Sequence, residues 1–153
     1  MTHTISNFED FKALEGQEIG ISEWFDVSQE QINQFADATN DHQWIHVDVD
    51  RAKKEMPGSK TIAHGYLTLS MVPSMSSTFI KFNNLERAIN YGVNKVRFTN
   101  MVPVNSKIRA RSTVTRVRQR SGATQVIGET TVEIKDQEKP ACVAETVSFY
   151  YFK

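Results

Sequence analysis

A chain of 153 residues has the length of one domain, and no internal boundary divides it, so a single domain over 1–153 is expected. Its 18 Lys and Arg against 18 Asp and Glu exclude a polyelectrolyte built to hold nucleic acid or an anionic membrane, and 39% hydrophobic residues exclude a disordered or collagen-like chain. No apolar run approaches the roughly 18 residues of a membrane span, Met1–Asp10 lacks a secretory layout, and a lone Cys142 forms no internal disulfide, so the chain reads as cytoplasmic. The neutral total conceals an asymmetry. Residues 1–60 carry 5 basic and 12 acidic side chains, whereas 61–153 carry 13 and 6, so each half complements the other.

In chain order, Ile19, Ile21, Phe25 and Val27 share one parity and predict a strand over 17–27 with one buried face. A helix follows. Ser28 and Gln31 make a capping box, and Ile32, Phe35, Ala36 and Thr39 recur at helical spacing until Asn40 stops the run. A short helix over 50–55 precedes the break at Pro57-Gly58. From His64 to Phe79 apolar residues face every side, which predicts a buried central helix with a kink at Pro73.

The remainder is strand-rich. Val96 and Phe98 set one run. Ile108, Ala110, Ser112 and Val114 alternate with arginines, and the parity then reverses at Val117, which predicts a bulge near Thr115. Ser121-Gly122 supplies a hairpin turn, Val126 to Ile134 alternate again, residues 136–140 turn, and 141–152 form the last strand. Consecutive antiparallel strands after one buried helix imply an α+β fold whose sheet covers that helix. Cys142 reads as a buried strand residue.

Two segments carry chemistry. In Asn40-Asp41-His42-Gln43-Trp44-Ile45-His46, a carboxylate and an imidazole stand five residues apart, which on a regular helix separates their directions by about 140°. They converge only from a loop, where together they make a general acid/base pair; the alternative is a turn aspartate and a hydrogen-bonded histidine. In Ile62-Ala63-His64-Gly65, the unpaired N–H groups at a helix start suit a developing oxyanion, and glycine lets a carbonyl approach. The alternative is that Gly65 permits tight packing and His64 caps the helix.

Phe35 to Ser70, with Asp41, His46, Asp48, Ala52 and Ile62-Ala63-His64-Gly65-Tyr66-Leu67-Thr68-Leu69-Ser70, resembles the MaoC-like (R)-specific enoyl-CoA hydratases, and most closely their nodulation-protein-N-like branch. The likeness continues more weakly through 91–98 and Pro103-Val104. It implies the hot-dog fold, an antiparallel sheet wrapped around a central helix, and a homodimer joined sheet edge to sheet edge. It also implies reversible hydration of a trans-2-enoyl thioester to the (3R)-3-hydroxyacyl thioester, with Asp41 and His46 as the catalytic dyad and the Gly65 N–H as oxyanion donor. Acyl-CoA is then substrate, and no cofactor or metal is required. Two positions depart from the family pattern: Gln43-Trp44 stands where Asn-Pro is commoner, and Pro73 stands where some members place a helix serine, with Ser70 and Ser74 nearby. A non-catalytic acyl-thioester binding protein and a hot-dog thioesterase are the alternatives.

Other signals weigh less. His42 and His46 have zinc-ligand spacing but lack the glutamate of the zincin pattern, and Gly58-Ser59-Lys60-Thr61 is too incomplete for a phosphate loop. Arg109, Arg111, Arg116, Arg118 and Arg120 read as a solvated outer sheet face, with coenzyme A phosphates as the functional alternative. With zero net charge and no nucleic-acid motif, nucleic acid is not expected as a partner.

Overall fold

The computed structural model describes residues 2–153. Its frame is an antiparallel sheet built from β2 (Glu18–Ile21), β3 (Phe25–Asp26), β5 (Leu85–Arg97), β6 (Lys107–Arg120), β7 (Ala123–Ile134) and β8 (Cys142–Phe152). The order is β2-β6-β7-β8-β5, with β3 also on β6. The strand expected over 17–27 is therefore two short strands, both paired to β6. β1 (His3–Ile5) and β4 (Ile80–Phe82) pair in parallel as a separate ribbon.

Every second residue of the long strands faces a central helical layer, as the pleat dictates. Ile108 and Ala110 of β6, Val132 and Ile134 of β7, and Cys142 and Ala144 of β8 pack with Leu67, Met71, Val72 and Met75. The register of β6 on β7 shifts between Val114 and Arg116, which is the expected bulge at Thr115. Its effect is visible in the packing: Val117, not Arg116, turns inward beside Val114 and Val126. There a second cluster forms around Phe11 of α1 (Phe8–Lys12), with Ile5, Ile19 and Phe79.

The central helix is divided. α5 (Gly65–Ser70) and α6 (Val72–Ser76) meet at Met71, whose backbone stays right-handed at φ −79° and ψ −14°. Pro73 causes this, because it has no N–H to give the Leu69 carbonyl and sits in the first turn of α6, where none is needed. The remaining helices are α2 (Gln29–Thr39), α3 (Trp44–Val47) and α4 (Val49–Glu55). The Ser28 side chain accepts from the Gln31 N–H to start α2, and Asn40 ends it in the left-handed region at φ 58°. A helical layer wrapped by an antiparallel sheet is the hot-dog arrangement. No helix among the described residues is long and apolar enough to cross a membrane.

Candidate active site

The left-handed Asn40 throws the chain out of α2, so Asp41 to Gln43 run as a loop. The Asp41 carboxylate accepts weakly from the Gln43 N–H at 3.4 Å and stays half exposed. One helical turn, α3, then places His46 inward at 7% exposure. Asp41 is on a loop as expected, but His46 is on this short helix, and the two converge because the loop between them turns the chain.

A second segment completes the site. Residues 61–63 lie beside 102–104, with Ala63 N–H donating to the Val102 carbonyl at 2.9 Å and Val104 N–H to the Thr61 carbonyl at 2.9 Å. Ile62 N–H donates to the Ile45 carbonyl at 3.0 Å, and His46 Nδ1 donates back to the Ile62 carbonyl at 2.7 Å. This reciprocal pair fixes the tautomer of His46: its proton is on Nδ1, and Nε2 keeps a free lone pair. From behind, Gln29 of α2 donates to the His46 carbonyl at 2.7 Å and accepts from the buried Thr61 hydroxyl at 2.5 Å.

His64 is the member that reading by motif misses. Its Nε2 donates to the Asp41 carbonyl at 3.0 Å and lies 4.0 Å from the Asp41 carboxylate, and its ring stacks on His46 with centroids 3.8 Å apart and planes at 24°. It makes no helix-capping hydrogen bond, contrary to one reading of it. The only sequence signal was a histidine next to the helix-starting glycine. Nothing in the sequence marked Gln29 or Thr61.

One polar atom from each of Asp41, His46 and His64 lies within 4.8 Å of the others, a spacing that invites comparison with a metal centre. The donor set does not fit one. Imidazole lone pairs lie in the ring planes, so two stacked rings direct them side by side and not at a common point. The His42 of the rejected zinc pair turns away to Asp37, at 2.8 Å.

Gly65 is the first residue of α5, so its N–H has no partner within the helix. A Cβ there would stand 2.8 Å from the Phe98 ring, so no larger residue fits without displacing it. His46, Gly65, Thr68, Phe98, Asn100 and Ala141 border a cavity of about 420 Å³, and Asp41 lies outside this lining. A larger cavity of about 590 Å³ follows, bordered by Leu69, Val72, Pro73 and Ser76. Gly65, Leu69, Val72 and Ser76 lie at helical spacings of four, three and four, so the two cavities succeed one another along the helical layer. Burial pushes the His46 imidazole below its usual range; the Ile62 hydrogen bond opposes this, His64 reinforces it, and Asp41 opposes it. Arg109 and Arg111 both bind Glu133, at 2.6 and 2.9 Å, on the outer sheet surface.

Comparison with known proteins gives a consistent picture. Residues 10–137 match the model of the MaoC like domain. The chain is 45% identical over 148 residues to 3-hydroxyacyl-thioester dehydratase Z of Mycobacterium tuberculosis, covering 96% of this chain and 97% of that one. It is 41% identical over 152 residues to Nodulation protein N of Rhizobium meliloti, covering 98% and 94%. The structure of R-hydratase PhaJ1 from Pseudomonas aeruginosa superposes with a TM-score of 0.72 at 18% identity, covering 91% of this chain and 83% of that one.

Proposed function

Because this chain belongs to the MaoC-like domain family, we propose that it is an (R)-specific enoyl-CoA hydratase, adding water reversibly to trans-2-enoyl thioesters. The observation that carries the reading is the closeness of Asp41 to a His46 whose Nε2 is free, with His46 and the helix-starting Gly65 bordering the same cavity. The dehydratase name of a relative with 45% identity agrees with it.

In the hydration direction, a water between His46 Nε2 and the Asp41 carboxylate attacks C3. Its oxygen bonds to C3, its proton passes to His46 Nε2, and the C2=C3 electron pair moves toward the thioester, leaving negative charge on the carbonyl oxygen. The Gly65 N–H at the helix start donates a hydrogen bond to that oxygen and stabilises the charge. The His46 imidazolium then protonates C2, so H and OH have been added and both groups are restored. Asp41 orients the water and stabilises the imidazolium. Dehydration is the same path in reverse. The 590 Å³ cavity receives the acyl chain beyond C3, its apolar lining matching a hydrocarbon tail.

The test mixes purified protein with crotonyl-CoA and a longer trans-2-enoyl-CoA, follows loss of the conjugated thioester absorbance, and resolves the product by chirality. The expected product is the (R)-3-hydroxyacyl-CoA. Asp41→Asn should lower kcat by at least ~10²-fold. Unchanged absorbance with both substrates in folded protein would refute the reading, and release of coenzyme A thiol would indicate a thioesterase instead.

A further inference from the structure

We propose that His64 is a positioning residue, an imidazole whose Nε2–H tethers the Asp41 loop while its ring face supports His46. The inference rests on the reading above, in which Asp41 and His46 act on one water.

Three observations carry it. His64 is 2% exposed, and its Nε2 lies 3.0 Å from the Asp41 backbone carbonyl, an atom that only accepts. The proton is therefore on Nε2. Second, Nδ1 is buried without a hydrogen-bond partner among the described residues. A buried polar atom left bare is unfavourable, so packing alone would favour an apolar side chain of similar volume here. What the imidazole offers that such a side chain lacks is the Nε2–H, and that N–H is spent on Asp41. Third, the ring stacks on His46 at 3.8 Å, with Phe35 at 4.9 Å to its centroid as a further aromatic neighbour.

The tether matters because Asp41 is otherwise loosely held. It follows the left-handed end of α2, its side chain is half exposed, and its own Asx contact is 3.4 Å long. His64 belongs to a segment 23 residues away that is fixed by hydrogen bonds to Ile45 and Val102. One bond from His64 thus references the carboxylate loop to the same segment that orients His46 through Ile62. Both partners of the reacting pair are then set against one strip of chain, residues 61–64.

The test separates the N–H from the ring face. Glutamine places an amide N–H the same number of bonds from Cβ as Nε2, whereas phenylalanine keeps the ring and loses the donor. His64→Phe should lower kcat by about 10²-fold with KM within about threefold, because misplacing a reacting group by about 1 Å costs that much. His64→Gln should recover at least about tenfold of that loss. Equal activities for the Phe and Gln variants, or a Phe variant within about threefold of wild type, would overturn the proposal. Should the Phe variant not fold, imidazole ¹⁵N NMR of the wild-type protein decides: a proton on His64 Nε2 supports the tether, and an unprotonated Nε2 overturns it. If Asp41→Asn retains full turnover, the hydratase reading fails; if that variant is dead and His64→Phe is not, only the role of His64 fails.

Discussion

At the scale of single residues, His46 ties the chemistry to pH. Burial is the largest influence on it and holds its imidazole below the usual 6.5, so the neutral base persists into mildly acidic solution. The acid limb of kcat/KM for enoyl-CoA hydration should therefore have its midpoint below 6.5, and a limb at or above that value would contradict the assignment of His46 as base. Stability carries the same sign. With the folded value below the unfolded one, the unfolded chain binds more protons between them, so the stabilisation is complete above about 6.5 and is lost as pH falls. The closeness of Asp41 and His46 was legible in the sequence because a turn-forming pair announced a loop. His64 was not, since its contacts with Asp41 and His46 reach 23 and 18 residues back along the chain, a pairing that spacing alone cannot express.

At the scale of elements, the β6–β7 hairpin closes through two residues, Ser121 at φ 49° and Gly122 at φ 78°. Two left-handed positions make the tight turn that follows the twist of the strands. Gly122→Ala should destabilise the protein by about 1–2 kcal/mol, read as a lower urea midpoint, while Ser121→Gly should leave it unchanged or raise it. This turn was readable, as were α2 and the alternation of β6 to β8, because each buries one face and leaves the other wet. β5 was not: it begins at Leu85, and its residues are exposed along nearly the whole strand, so no alternation marked it before Val96. The single central helix of the sequence reading became two because Pro73 falls where a continuous helix needs a donor.

At the scale of the molecule, β5 is one edge of the sheet, and we propose it as the edge that a second copy covers. Thirteen residues of edge strand present exposed Ile89, Tyr91 and Val93, with Tyr91 at 70%. The molecule exposes 8734 Å², more than the ~7,900 Å² usual for its mass, consistent with a face meant to be covered. A homodimer pairing β5 with β5 would satisfy this edge without creating another. Sedimentation should accordingly give a dimer for the native protein and a monomer when Ile89 and Val93 are both replaced by Lys; a monomeric native protein would remove the expectation.

β1 and β8 share an anchor. The Asn83 N–H donates to the Ile5 carbonyl at 2.8 Å, and the Lys153 N–H donates to the Asn84 carbonyl at 2.9 Å, so β1 and the end of β8 are fastened to adjacent residues of one turn. Along β5 this turn precedes Leu85, whereas the cavity bordered by His46 adjoins Phe98, about 40 Å further on for an extended strand. β1 and the end of β8 are thus clasped at the pole of the molecule opposite the reacting groups, so loosening the turn at Asn83-Asn84 would fray both strands without displacing the catalytic loop.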